Sequence, residues 1–233
     1  MTHCHTTFSD GKASVREMAA AVRERGLGYL TITDHSPSAF YAGGVTRERL
    51  AEQWAEIDAV TRETDVVVLR GTESDILADG ALDYPAEVLA QLEVVIASIH
   101  NRMSMDEEAM TARLLGAMAQ PVFKVWGHPL GRLILRRPPL ACRLPEVLDA
   151  IARGPAAIEI NGDPYRLDLP PEHLPAARRR GIPFIISTDA HSVQNLDHLP
   201  YGVAMARRGG VRRSEVLNAR PVEEFRAAVR PAR

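Results

Sequence analysis

The feature that most constrains this chain is a recurrence. Short apolar runs alternate with helix-forming segments, and nearly every run ends on a residue that can bind a metal or a proton. Residues 29–33 lead to Asp34 and His35, 66–72 to Glu73, 94–99 to His100, 122–126 to Gly127 and His128, and 183–188 to Asp189 and His191. A further apolar run spans 157–161. The segments between them, 14–25, 46–63, 85–91, 105–119, 144–153 and 171–180, read as helices, with another at 221–229. The first begins with a capping box, Ser14 followed by Glu17, carries the stripe Val15, Met18, Ala19, Val22, and stops at Gly26. Strands alternating with helices predict βαβ units and a parallel sheet. With a strand at 2–6 the count is seven. Because almost every strand end delivers a polar group to a common mouth, a barrel fits better than an open sheet, which gathers ligands mainly at its switch point. At 233 residues there is room for one α/β barrel, and no linker or repeat divides it, so a single domain over 1–233 is expected.

The polar ends suggest the chemistry. On an extended strand His3 and His5 share a face and Cys4 points away, so two imidazoles could chelate one cation. With carboxylates they suit zinc, manganese or iron. The candidate donors are His3, His5, Asp10, His35, Glu73, His100, His128, Asp189 and His191. Singly, a histidine at a strand end is commonly structural; nine donors at strand ends or in the loops after them favour a metal centre. His173 and His198 are expected at the surface. Two cysteines, Cys4 and Cys142, make neither a disulfide scaffold nor a Cys-x-x-Cys site. No run approaches a membrane span and the N-terminus lacks a signal-peptide pattern, so a cytoplasmic protein with no membrane partner is expected. The net charge of −2 hides an asymmetry: residues 1–131 hold 11 basic and 19 acidic groups, residues 132–233 hold 17 and 11. All the cations of the second part are arginines, which fits a phosphate-binding surface beside a carboxylate-rich site, or a plain preference for arginine over lysine. The runs Arg178-Arg179-Arg180 and Arg207-Arg208 read as solvated faces.

The motifs Thr2-His3-Cys4-His5, Ser9-Asp10-Gly11, Thr33-Asp34-His35-Ser36, Gly71-Thr72-Glu73, Ser98-Ile99-His100, Gly127-His128-Pro129 and Thr188-Asp189-Ala190-His191 resemble those of the PHP (polymerase and histidinol phosphatase) superfamily. The strings 75–85, 127–132 and 159–169 are similar to the C-terminal PHP domain of bacterial family X DNA polymerases. The resemblance implies a distorted (β/α)7 barrel with three divalent metal ions at the carboxyl ends of its strands, hydrolysing phosphoesters. It implies one ion on His3, His5, Glu73 and Asp189, a second on Asp10, His35 and His191, and a third on Glu73, His100 and His128. Glu73, Asp189 and His191 are then the catalytic residues. Clustered divalent ions acidify water and offset charge on phosphoryl oxygens, so no side-chain nucleophile is needed. Asp34 is expected to orient imidazoles from behind, and Arg102, Arg132 and Arg166 to hold substrate phosphate. The implied substrate is a DNA 3′ end (3′–5′ exonuclease or 3′-phosphatase), with a polymerase domain as partner. The alternatives are a small-molecule phosphatase of the histidinol-phosphate type and a non-catalytic metal-stabilised module. Such domains follow a polymerase core, which this sequence does not contain. With only Met1 and Thr2 ahead of His3, the first strand is expected to be short.

Overall fold

Ser14 starts the first helix as its sequence suggests. In the computed structural model, which describes residues 1–231, the Ser14 amide donates to Glu17 Oε2 at 2.8 Å and the Glu17 amide donates back to Ser14 Oγ at 3.2 Å, opening α1 (Val15–Glu24). Then follow β1 (Tyr29–Ile32), α2 (Arg47–Glu63), β2 (Val67–Asp75), α3 (Ala86–Leu89), β3 (Val94–Ser98), α4 (Glu107–Met118), β4 (Val125–Trp126), α5 (Leu144–Ala152), β5 (Ala157–Asn161), α6 (Leu174–Arg179), β6 (Phe184–Ser187), α7 (Leu199–Arg208) and α8 (Val222–Val229). The six strands form one parallel sheet in the order β1-β2-β3-β4-β5-β6.

Strand alternation sorts the residues into two faces. Leu30, Ile32 and Val68 pack with α1 and α2, and Val95, Ala97, Ile158, Ile160, Phe184 and Ile186 pack with α4 to α7. The opposite parity, Tyr29, Leu69, Val94, Ile96, Val125, Ala157 and Ile185, forms a separate cluster closed by Phe225 and Val229 of α8. Counting on by twos along that inner face leads to His35, Glu73, His100, Glu159 and Asp189. The same pleat therefore buries apolar groups at the bottom and gathers donors at the top. β2 pairs with β1 through Val67–Arg70 and with β3 through Gly71–Asp75. A Cβ at the changeover, Gly71, would come within 2.8 Å of Ile32 O.

The seventh strand, expected at 2–6, is not a regular strand. Its one bridge is Cys4 to Ala190. The His5 amide donates to Ala190 O at 2.8 Å and the Thr33 amide to Cys4 O at 2.8 Å, so this short extended piece joins β1 to the chain just beyond β6. It ends because the backbone turns back at once: Ser9 and Gly11 amides both donate to Thr6 O at 3.0 Å. Most elements lose a residue or two at their ends, and three lose proportionally more: only Val125–Trp126 of 122–126 is strand, and the helices at 85–91 and 171–180 shrink to Ala86–Leu89 and Leu174–Arg179. Helix α7 is not among the helices expected from the sequence. Pro200 sits in the first turn, where its missing N–H costs nothing, and a Cβ at Gly202 would lie 2.7 Å from Ile186 Cγ2. Arg178 and Arg180 are not free solvated charges, because they pair with Glu215 at 3.0 Å and Asp149 at 2.6 Å; Arg179, Arg207 and Arg208 are exposed. His173 and His198 are half-buried, at the starts of α6 and α7. Among the described residues no helix is long and apolar enough to cross a membrane.

Candidate metal centre

All nine donors expected from the sequence converge at the carboxyl ends of the strands. Glu73, fully buried on β2, lies at their centre. Its Oε2 lies 3.4 Å from His3 Nε2, 3.5 Å from His5 Nε2 and 3.0 Å from His35 Nδ1. Its Oε1 lies 2.7 Å from His128 Nε2 and 3.3 Å from His100 Nε2, and those two nitrogens are 3.3 Å apart. Asp189 Oδ1 closes the first side at 3.4 Å from His3 and 3.1 Å from His5. Asp10 Oδ1 lies 3.6 Å from His35 and 3.3 Å from His191. Three donor groups could each hold a metal ion: His3, His5, Glu73 and Asp189; His5, Asp10, His35 and His191; and His35, Glu73 and His100. The first matches the set expected from sequence. The second gains His5, whose ring stacks between those of His35 and His191 at 4.3 and 4.2 Å. In the third, His35 stands where His128 was expected, although His128 also touches the same Glu73 oxygen.

Buried polar atoms show that these residues fit cations. Both Glu73 oxygens, His3 Nε2, His5 Nδ1, His35 Nδ1 and His128 Nδ1 are buried without a hydrogen-bond partner. A dehydrated carboxylate left so is costly unless a charge compensates it. Burial, reinforced by His191 and His35, pushes the His5 imidazole down to about 3, so it stays neutral, as a ligand must. Burial opposes charging of His100 as well, but Glu73 and Asp75 outweigh it and raise His100 to about 10.

The residues behind the donors were largely missed from sequence. Glu159 on β5 lies 2.6 Å from His3 Nδ1 and accepts from the His128 amide, the Ser187 hydroxyl and Asn161 Nδ2. It holds the His3 ring so that Nε2 faces Glu73. The available signal was a carboxylate in an otherwise apolar strand, on the inner-face parity. Asp75 holds His100 through Nδ1, and the Asp189 carbonyl lies 2.8 Å from His191 Nδ1. Asp34, expected behind the imidazoles, faces elsewhere: it accepts from the Thr6 amide at 2.7 Å, Ser9 Oγ at 2.5 Å and Gln53 Nε2 at 2.7 Å, pinning the loop that carries Asp10. His128 falls off the strand alternation, and its backbone (φ 22°) turns to bring it back.

The three arginines differ. Arg166 is largely buried, with Nε 3.0 Å from Asp189 Oδ2 and Nη1 unpartnered. Arg132 donates to Arg166 O at 2.7 Å and Leu167 O at 2.5 Å, which braces the Arg166 loop. Arg102 is exposed and makes no side-chain bond among the described residues.

The same loop is fastened by buried Asp168, which accepts from the Leu130 amide at 3.0 Å. Burial outweighs that bond and two nearby arginines and raises its carboxyl to about 7. A folded pKa above the unfolded value of about 3.9 contributes stability present below pH 4 and lost as pH rises through 7. Asp168→Asn is therefore expected to gain stability relative to the parent between pH 4 and 8, by on the order of 2 to 4 kcal/mol, read from denaturant midpoints across pH. A constant difference would contradict the assignment.

Comparison with known proteins adds the following. A family model described as PHP domain matches residues 2–162. The DNA polymerase/3′-5′ exonuclease PolX of Bacillus subtilis is 42% identical over 226 residues, 97% of this chain but 40% of that protein, so the chain spans well under half of this relative. A probable phosphatase of Caldanaerobacter subterraneus is 28% identical over 82% of this chain and 75% of its own length. The solved histidinol phosphate phosphatase of Lactococcus lactis, in complex with zinc, L-histidinol and phosphate, superposes with a TM-score of 0.66 over 91% of this chain and 93% of that one. At 19% identity it shows a shared fold.

Proposed function

Since the chain belongs to the PHP domain family and is a metal-dependent phosphoester hydrolase, we propose that it acts on DNA 3′ ends, as a 3′–5′ exonuclease or 3′-phosphatase. The observation that carries the reading is the cage around Glu73, overlapping donor groups beside a buried arginine with a free Nη1. The choice of DNA over other phosphoesters is supported by the identity to PolX along almost the whole chain.

Within this reading three divalent ions, zinc, manganese or iron, would be held as the family resemblance implies. His3, His5, Glu73 and Asp189 would hold one, Asp10, His35 and His191 a second, and Glu73, His100 and His128 a third. His5 is within reach of the second group and His35 of the third. Bound there, the ions would acidify water and offset the charge of the phosphoryl oxygens. The chain's own residues do the rest. Glu73 bridges two groups with separate oxygens, Asp189 joins the first group to Arg166, and His191 stands at the open edge, the most exposed of the ligand imidazoles. Arg166 through Nη1 and exposed Arg102 would hold phosphate oxygens. A polymerase domain or separate polymerase is the proposed partner.

The second reading, a phosphatase of small phosphomonoesters, is favoured by the relative described as a probable phosphatase, which matches over most of both chains. One experiment separates the two. The metal-loaded protein is expected to release nucleotides or phosphate from a 3′-labelled oligonucleotide with kcat/KM well above that for histidinol phosphate, and to lose DNA affinity steeply with added salt through counterion release. Turnover confined to histidinol phosphate, with little salt dependence, would establish the second reading instead.

A further inference from the structure

Large apolar side chains are seldom left bare in groups. Five are exposed among the described residues, and four of these lie on segments joined to the metal centre: Tyr41 (61%) beside His35 with Phe40 (85%) against it, and Tyr165 (62%) next to Arg166 with Leu135 (102%) on the hairpin docked to it. Single exposed aromatics are ordinary; their grouping around one opening calls for an explanation.

Phe40 and Tyr41 begin a short turn five residues after His35, stand edge to face at 6.0 Å, and the Tyr41 ring lies 6.5 Å from that of His35. The Tyr41 ring, 61% exposed, thus stands beside a donor imidazole with much of its face open to solvent. On the side of β4 and β5, Leu135 tips a tight hairpin that docks through the Ile134 amide to Tyr165 O at 2.7 Å. The Arg136 guanidinium lies 5.5 Å from the centre of the Tyr165 ring, and the next residue, Arg166, reaches Asp189. Aromatic faces on both flanks, interleaved with exposed arginines and opening on a site for phosphoester cleavage, fit a strand whose bases stack while its backbone meets positive charge.

We propose that Phe40, Tyr41 and Tyr165 form a stacking rim that grips unpaired bases next to the scissile phosphoester, and so set the preference for a nucleic-acid strand. This rests on the DNA-end reading above. Stacking needs a flat π face and tolerates any base, so the rim selects for strand ends without selecting sequence.

The test uses the full chain loaded with metal, and compares kcat/KM for a 3′-labelled single-stranded oligonucleotide with that for bis(p-nitrophenyl) phosphate. In Phe40→Ala and Tyr165→Ala the ratio of the two is expected to fall by about tenfold each, the worth of roughly one stacked base, chiefly through a higher KM for the oligonucleotide. Phe40→Trp and Tyr165→Trp should restore the ratio, and the leucine variants, apolar without a π face, should not. An unchanged ratio in the alanine variants overturns the rim, as does full rescue by leucine, which would mark an apolar surface for a protein partner. If the parent cleaves bis(p-nitrophenyl) phosphate but leaves every oligonucleotide intact, the DNA-end reading itself fails. If it cleaves both and only the ratio is unmoved, that reading stands without the rim.

Discussion

Glu73→Gln is expected to lower turnover by about a thousandfold or more, because several kcal/mol of transition-state stabilisation goes with the ions and each 1.4 kcal/mol is tenfold. The substitution keeps the shape and removes the charge, so it separates ligation from packing. Both Glu73 oxygens face imidazoles from different strands and neither has a hydrogen-bond partner. A glutamine there offers one acceptor where two are used and turns an amide against imidazole nitrogens. Elemental analysis should show fewer ions per chain in the variant, and excess metal should not restore its rate. Full turnover with full metal content would refute the bridging role.

Glu159→Gln is expected to weaken metal binding by about 10- to 100-fold, the usual worth of a residue that orients a ligand imidazole. Its carboxylate fixes the His3 ring at Nδ1 and the His128 backbone at the amide, so one substitution loosens donors on both sides of Glu73. Unlike the loss of Glu73, this loss should be overcome by added metal, with turnover near that of the parent at saturation. Chelator-competition titration measures the affinity. An unchanged affinity would mean that the surrounding packing alone holds His3 in place.

These two residues show how much of the site was readable from the linear chain. Glu73 was legible because it ends an apolar run in a series whose other members also end on donors, and the series itself indicates parallel strands with one common mouth. Glu159 was overlooked because it sits inside its strand, where only the inner-face parity marks it. Asp34 was misread for a related reason. Its neighbour His35 faces the centre, and alternation turns Asp34 the other way, onto Thr6, Ser9 and Gln53. The bracing role of Arg132 was not readable either, because its guanidinium is bound to two carbonyls that only the folded chain brings to it.

By itself the sequence determined the α/β class, the strand order along the chain and the nine candidate donors, since these follow from the spacing of apolar runs and the chemistry of the residues that end them. Tertiary structure decided the rest. Whether residues 2–6 make a full strand, which imidazoles share an oxygen of Glu73, and which arginine is free all depend on contacts between segments far apart in the chain. Alternation fixes which way a side chain points from its own strand. It carries no information about what arrives from the strand opposite.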